Sequence, residues 1–132
     1  MTPWFADSLY FLALLNRKDQ FHQGAIELSR VGRAILTTRW ELMEVGDGFC
    51  APHRRRRFVN LLTILSGRSD VRILPADESQ FRRAASLYAE RLDKGWSMTV
   101  CTSFVVMQEL GLREALTADH HFEQAGFVAL LK

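Results

Sequence analysis

Residues 4–16 read WFADSLYFLALLN, and this stretch contains the unit from which the fold can be predicted. The apolar triplet Trp4–Ala6 is typical of a short buried strand. From residue 8 to 16, apolar side chains such as Leu12 and Leu15 recur at helical spacing, which predicts a helix. Asp7 lies between the two elements, so the strand ends directly on an acid.

Strand and helix signals alternate along the rest of the 132 residues. Further strands are predicted at residues 34–37, 71–74, 115–117 and 127–130. Further helices are predicted at residues 20–31, 38–50, 53–66, 77–91, 98–110 and 119–124. Two of these helices begin at capping signals, Thr38 with Glu41 and Asp77 with Gln80. Alternation of this kind predicts a three-layer α/β/α sandwich with a central, mainly parallel sheet.

Length and composition are those of an ordinary globular domain, which we expect to span residues 1–132. Hydrophobic residues make up 48% and charged residues 24% of the chain, and this balance argues against intrinsic disorder. No apolar run approaches the roughly 20 residues of a membrane span, and the N-terminus does not read as a signal peptide. Two cysteines are too few for a disulfide framework. We therefore expect a cytoplasmic protein without a membrane partner.

Positive charge is concentrated in the middle third of the sequence. Residues 51–83 carry 8 basic and 3 acidic side chains, a net charge of +5, whereas the whole chain has a net charge of +2. The densest run is His53-Arg54-Arg55-Arg56-Arg57, at the predicted start of a helix. Cations there oppose the helix dipole, which supports a binding role, and a solvated helix start is the alternative. An RNA backbone or an acidic partner would fit such a patch.

Three carboxylates are candidates for a metal site. Asp7 follows the first strand and Asp119 closely follows the fourth, so both should reach the carboxyl edge of a parallel sheet, where ligands bind. Each of them can alternatively be an ordinary helix N-cap. Glu44 lies in a largely apolar helix, where a carboxylate is costly unless it is paired, bound to a cation or on a solvated face. Converging carboxylates favour Mg²⁺ or Mn²⁺, which can activate water for attack on a phosphodiester.

Four short motifs in this order resemble the PIN-domain family, and within it the VapC-like toxins of toxin–antitoxin pairs. The motifs are Phe5-Ala6-Asp7-Ser8 with residues 13–16 and His22, Thr37-Thr38 with Glu44, residues 93–99 (DKGWSMT), and residues 116–122 (LTADHHF). The resemblance implies a PIN-like fold and a metal-dependent endoribonuclease. It implies metal ligands at Asp7, Glu44 and Asp119, together with one further acid. It also implies RNA as substrate, a cognate antitoxin as partner, and a homodimer.

The further acid is missing, because the family pattern has Asp where this chain has Val100, in the run Ser97-Met98-Thr99-Val100-Cys101. One explanation is an inactivating change, deliberate or selected, in a nuclease. The other is a naturally degenerate PIN domain that binds RNA or an antitoxin without cleaving. Since the other three acids remain, we expect the first explanation, and hence an inactive or strongly impaired enzyme. The hydroxyls of Ser97 and Thr99 should flank the acids and can orient a phosphate or a water molecule.

Two further predictions concern partners and packing. Phe11, Leu14 and Phe21 on the first two helices are expected to expose an apolar groove that would accept a helix of the antitoxin. Trp96 is expected to be a packing residue, with stacking on an RNA base as the alternative. His120 and His121 lack the ligand spacing of a zinc site.

Overall fold

The computed structural model describes residues 1–132 and contains five strands, seven α-helices and one short 3₁₀ helix, Pro52–Arg54. The strands are β1 (Trp4–Ala6), β2 (Ile35–Thr38), β3 (Val71–Leu74), β4 (Glu114–Leu116) and β5 (Val128–Ala129). The helices are α1 (Ser8–Leu15), α2 (His22–Ser29), α3 (Arg39–Gly48), α4 (Arg55–Gly67), α5 (Glu78–Glu90), α6 (Met98–Leu110) and α7 (His120–Gln124). None of these helices combines the length and the apolar character needed to cross a membrane.

The five strands form one sheet in the order β3-β2-β1-β4-β5, and every neighbouring pair is parallel. The central strand is β1, where Phe5 is in register with Leu36 on one side and with Ala115 on the other. From β1 the chain moves outward through β2 and β3, and it then returns to place β4 on the opposite side of β1. This reversal lies between β1 and β4, and a crevice forms at such a point beyond the carboxyl ends of the strands.

Apolar cores cover both faces of the sheet. Trp4 and Ala6 on β1 point into a core that also contains side chains of α1, α3 and α4. Phe5, between them, points into a second core with side chains of α5, α6 and α7. Such alternation along a strand is what a sheet buried on both faces requires. The predicted α/β/α sandwich is therefore confirmed, and its sheet is entirely parallel.

Most predicted elements are present, and their ends differ from the prediction by a few residues. β1, β3 and α6 have the predicted bounds, and α6 ends at Gly111, whose φ of 68° is the left-handed conformation typical of a helix C-terminus. The second helix is shorter than predicted, because Asp19 forms a turn and accepts the N–H of Phe21. The basic run is divided, since the 3₁₀ helix includes Arg54 and α4 begins at Arg55.

Candidate metal centre

Asp7 lies at the carboxyl end of the central strand, and its side chain is 3% exposed. It occupies the N-cap position of α1, but its carboxylate forms no hydrogen bond with the backbone of that helix. Its Oδ2 instead accepts a hydrogen bond of 2.6 Å from the hydroxyl of Thr117, which directly follows β4. Helix capping therefore does not explain Asp7, and its carboxylate is held in the crevice between β1 and β4.

Asp119 caps a helix and also lies beside the carboxyl end of β4. Its Oδ1 accepts the backbone N–H of His121 at 2.9 Å, so it does cap α7. Its own backbone N–H donates to the Thr117 hydroxyl oxygen at 3.0 Å. Thr117 therefore joins the two aspartates, donating to Asp7 and accepting from Asp119. The second oxygen of Asp119, Oδ2, has no hydrogen-bond partner and is left for a ligand.

Glu44 reaches the same edge of the sheet from α3. It is half-buried, and its Oε1 accepts a hydrogen bond of 2.9 Å from the hydroxyl of Ser8. Since Ser8 follows Asp7 in the chain, this contact brings Glu44 to the start of α1. Glu44 is therefore paired with a polar group at the crevice.

A fourth carboxylate, Glu41, lies at the centre of the cluster and was not among the predicted site residues. It is fully buried. Its Oε2 accepts the backbone N–H of Ser8 at 2.8 Å, and its Oε1 accepts the hydroxyl of Ser103 on α6. It lies close enough to Asp7 for the charge of that residue to raise its pKa. The sequence feature that could have identified Glu41 is its spacing from Glu44, because residues three apart share one face of a helix.

The cluster concentrates negative charge without a compensating cation. Burial raises the pKa of Asp7, and the nearby charges of Asp119 and Glu44 raise it further. Burial also holds the pKa of Glu41 well above its ordinary value, and the adjacent charge of Asp7 acts in the same direction. No arginine or lysine forms an ion pair with any of the four carboxylates. Such a set of oxygen ligands fits a hard divalent cation.

The predicted ligands converge loosely. Asp7, Glu44 and Asp119 do not bring three ligand atoms within 4.8 Å of one another, and the group that does so is Asp119 with His120 and His121. A looser arrangement is compatible with Mg²⁺, which keeps several of its waters and binds proteins through one or two carboxylates. The residues present therefore fit Mg²⁺ or Mn²⁺ at the crevice.

Val100 leaves α6 without a carboxylate at this edge. Its side chain is buried in the apolar core with Trp96 and Phe104. Its backbone N–H donates to the hydroxyl of Ser97 at 3.1 Å, so the helix cap is present without an acid. Ser97 is thus a capping residue, whereas Thr99 lines a pocket of about 570 Å³ together with Glu44. Of the two predicted hydroxyl residues, only Thr99 lines a pocket with one of the predicted ligands, Glu44.

Trp96 is a packing residue, as predicted. It is 5% exposed and meets Phe104 edge to face, with ring centroids 4.9 Å apart. Its Nε1 donates to Gln124 at 3.0 Å, and the Arg91 guanidinium lies over its ring. No free face of the indole is left for a base.

The four predicted arginines lie in different surroundings. Arg54 and Arg57 line a cleft of about 780 Å³ with Arg17 and Lys18, and no acidic residue lines it. Of the other two, Arg55 donates to a backbone carbonyl and Arg56 is exposed. This basic cleft also includes Leu15, the last residue of α1. Leu15 lies about 10 Å along the helix from Ser8.

The first two helices do not form the exposed apolar groove that was predicted. Phe11 is 1% exposed, because it belongs to the core below α1, and Leu14 and Phe21 pack against that core. An apolar groove of about 540 Å³ lies instead between α3 and α4. Met43 and Val59 line it and are exposed.

Comparisons with known proteins agree with this architecture. No protein-family model matches the sequence, and no curated protein is similar enough to be matched.

The solved structure of Mycobacterium tuberculosis VapC20, a sarcin-ricin loop cleaving toxin, has a TM-score of 0.88 and 24% identity over 97% of this chain and 98% of that chain. FitAcB from Neisseria gonorrhoeae has a TM-score of 0.64 and 18% identity, covering 97% and 96% of the two chains. FitAB bound to an IR36 DNA fragment has a TM-score of 0.67 and 18% identity, covering 95% and 91%. The chain therefore has the PIN-like α/β/α fold that its sequence predicts, and it shares this fold with the toxin VapC20.

Proposed function

We propose that this chain is a metal-dependent endoribonuclease of the PIN/VapC type, the toxin of a toxin–antitoxin pair. Thr117 supports this proposal, because its hydroxyl links Asp7 and Asp119 by two hydrogen bonds. It places two carboxylates at the reversal point of a parallel sheet, where open α/β sheets bind their ligands. Glu44 joins them through Ser8.

Asp7, Glu44 and Asp119 would hold Mg²⁺ or Mn²⁺ in this proposal. The cation would supply Lewis-acid activation of water for attack on a phosphodiester. Thr117 and Ser8 orient the carboxylates, since each donates a hydroxyl hydrogen to one of them. Thr99 lines the pocket beside Glu44 and would contact a phosphate bound there.

RNA is the proposed substrate. VapC20, which has the same fold, is a toxin that cleaves the sarcin-ricin loop. The basic cleft adds support, because four cations without an acidic neighbour would attract a phosphate backbone. For the antitoxin, the apolar groove between α3 and α4 is the surface that an amphipathic helix fits best. A homodimer remains an expectation from the family resemblance.

We propose further that Val100 impairs the enzyme. Loss of a residue that only supports a metal ligand costs about 10–100-fold in metal affinity or activity. Loss of a ligand should cost at least as much. The second candidate function is a degenerate PIN domain that binds RNA or an antitoxin without cleaving, and the buried apolar side chain at position 100 favours it.

A cleavage assay separates the two candidates. The chain as it stands and its Val100→Asp variant are incubated with RNA and Mn²⁺, with and without EDTA. We expect strong cleavage by Val100→Asp, little by the unchanged chain, and none with EDTA. Failure of both proteins to bind metal, together with no cleavage by either, would favour the binding module. Cleavage that persists in EDTA would contradict a metal-dependent nuclease.

A further inference from the structure

Glu41 is a buried carboxyl group that has no basic partner. Asp7 and Glu41 are the only buried acids of the chain, and Glu41 accepts the backbone N–H of Ser8, the residue that follows Asp7. Neither takes part in an ion pair with a base. Burial of a carboxylate is costly unless a cation or a full set of hydrogen bonds compensates it.

Capping of its own helix does not account for Glu41 either. Thr38 and Glu41 have the spacing of a capping box, and the Thr38 hydroxyl does accept the backbone N–H of Glu41 at 3.2 Å. In a complete box the glutamate would return to the backbone N–H of Thr38. Its two oxygens are bound elsewhere, one to the N–H of Ser8 and the other to the hydroxyl of Ser103.

The contact with Ser103 relates Glu41 to position 100. Residues 100 and 103 of α6 are three apart and lie on the same face of that helix, one turn from each other. Glu41 therefore presents its carboxylate from α3 to the face of α6 on which Val100 lies. From there it reaches Asp7 and the N-terminus of α1.

We propose that Glu41 is a positioning residue of the cation site and that it supplies, from α3, the negative charge that Val100 does not supply from α6. This inference rests on the proposed function, because it assigns Glu41 to the same cation. Glu41 acts through Asp7, which it contacts, and through Ser8, whose hydroxyl holds Glu44. The site thus has four acids, one of which comes from a different helix than the family pattern implies.

A double-mutant cycle on Mn²⁺ affinity tests this inference on the full chain. Isothermal titration with Mn²⁺ is compared for the unchanged protein, Glu41→Gln, Val100→Asp and the double variant. Glutamine keeps the size of the side chain, and its carbonyl oxygen can accept the N–H of Ser8 while its amide group donates to the hydroxyl oxygen of Ser103. Glu90→Gln, at an exposed position on α5, is the matched control for loss of one negative charge.

We expect Glu41→Gln to weaken Mn²⁺ binding at least tenfold and Glu90→Gln to leave it unchanged. Val100→Asp should then strengthen binding more in the Glu41→Gln protein than in the unchanged one, because it restores the fourth charge there. Non-additivity of this kind is typical of groups that act on one site. Equal gains in both backgrounds, or an unaltered affinity in Glu41→Gln, would overturn the inference.

Two further measurements separate a positioning role from a structural one. The melting temperature without metal should not fall in Glu41→Gln, while the rise that Mn²⁺ causes should shrink. A lower melting temperature with an unchanged Mn²⁺ effect would mean a structural role only.

The Asp7→Asn variant distinguishes failure of the proposed function from failure of the role proposed for Glu41 alone. If it leaves Mn²⁺ affinity intact, the proposed function fails; if it abolishes binding and Glu41→Gln does not, only the inference fails.

Discussion

The hydroxyl of Thr117 donates to Asp7 Oδ2 at 2.6 Å, although the two residues are 110 positions apart in the sequence. The same hydroxyl oxygen accepts the N–H of Asp119 at 3.0 Å. One buried side chain therefore fixes the carboxyl ends of β1 and β4 relative to each other. The geometry of the candidate cation site depends on this link.

Thr117→Val should disturb the site more than the fold. The variant keeps the shape of the side chain but leaves Asp7 and the N–H of Asp119 without their partner, which should cost about 1–3 kcal/mol of stability. Mn²⁺ affinity, measured by titration, should fall about tenfold. Thr63→Val, on the exposed face of α4, is the control. Equal effects of the two variants on Mn²⁺ affinity would contradict this role of Thr117.

Stability without metal should decrease as the pH rises. Burial raises the pKa values of both Asp7 and Glu41, so the folded protein binds protons more tightly than the unfolded chain. The resulting stabilisation is complete below the ordinary carboxyl pKa of about 4 and is lost as the pH passes through the raised values. Urea unfolding in EDTA should show a lower midpoint at about pH 8 than at about pH 5. In Glu41→Gln the decrease should be smaller; an identical decrease would show that the pair does not cause it.

RNA binding should depend on the basic cleft independently of the metal. Arg54→Ala and Arg57→Ala should each weaken binding and reduce the salt slope by about one phosphate contact, whatever the RNA sequence. Arg82→Ala, on the exposed surface of α5, serves as the control. Fluorescence anisotropy at several salt concentrations gives both quantities. An unchanged salt slope in the two cleft variants would exclude this cleft from the RNA interface.

Trp96→Ala should destabilise the protein by about 3–5 kcal/mol, as expected for loss of a large buried side chain. Its edge-to-face contact with Phe104 and its hydrogen bond to Gln124 would both be lost. Trp96→Phe keeps an aromatic ring and should retain RNA affinity under conditions where it is folded. Denaturant unfolding and the same anisotropy assay measure the two effects. A large loss of RNA affinity in a stably folded Trp96→Phe would support base stacking instead.

Much of the fold and part of the site follow from local sequence patterns. Strands such as Val71–Leu74 and helices such as Met98–Leu110 have clear apolar periods and clear ends, so their bounds agree with the structure. Asp7 and Asp119 were predictable because the residue that follows a parallel strand must lie near the carboxyl edge. The bounds of these elements and the positions of the two aspartates both depend on residues that are close together in the sequence.

Glu41 was not predictable in this way. Its spacing from Thr38 is that of a capping box, and its actual partner, Ser103, lies 62 residues away on another helix. The exposure predicted for Phe11 failed for a related reason, since helical periodicity indicates an apolar face but not what covers it. The basic run was predicted as one patch, whereas helical geometry sends Arg54 and Arg57 into the cleft and leaves Arg56 outside.

The position of a bound cation would show directly whether Asp7, Glu44 and Asp119 form the metal site. Crystals of the Val100→Asp variant grown with Mn²⁺ would locate the ion by its anomalous scattering. We expect an anomalous peak in contact with Asp7, beside Glu44 and Asp119. A peak bound only by Asp119, His120 and His121, with Asp7 free of the metal, would contradict this expectation.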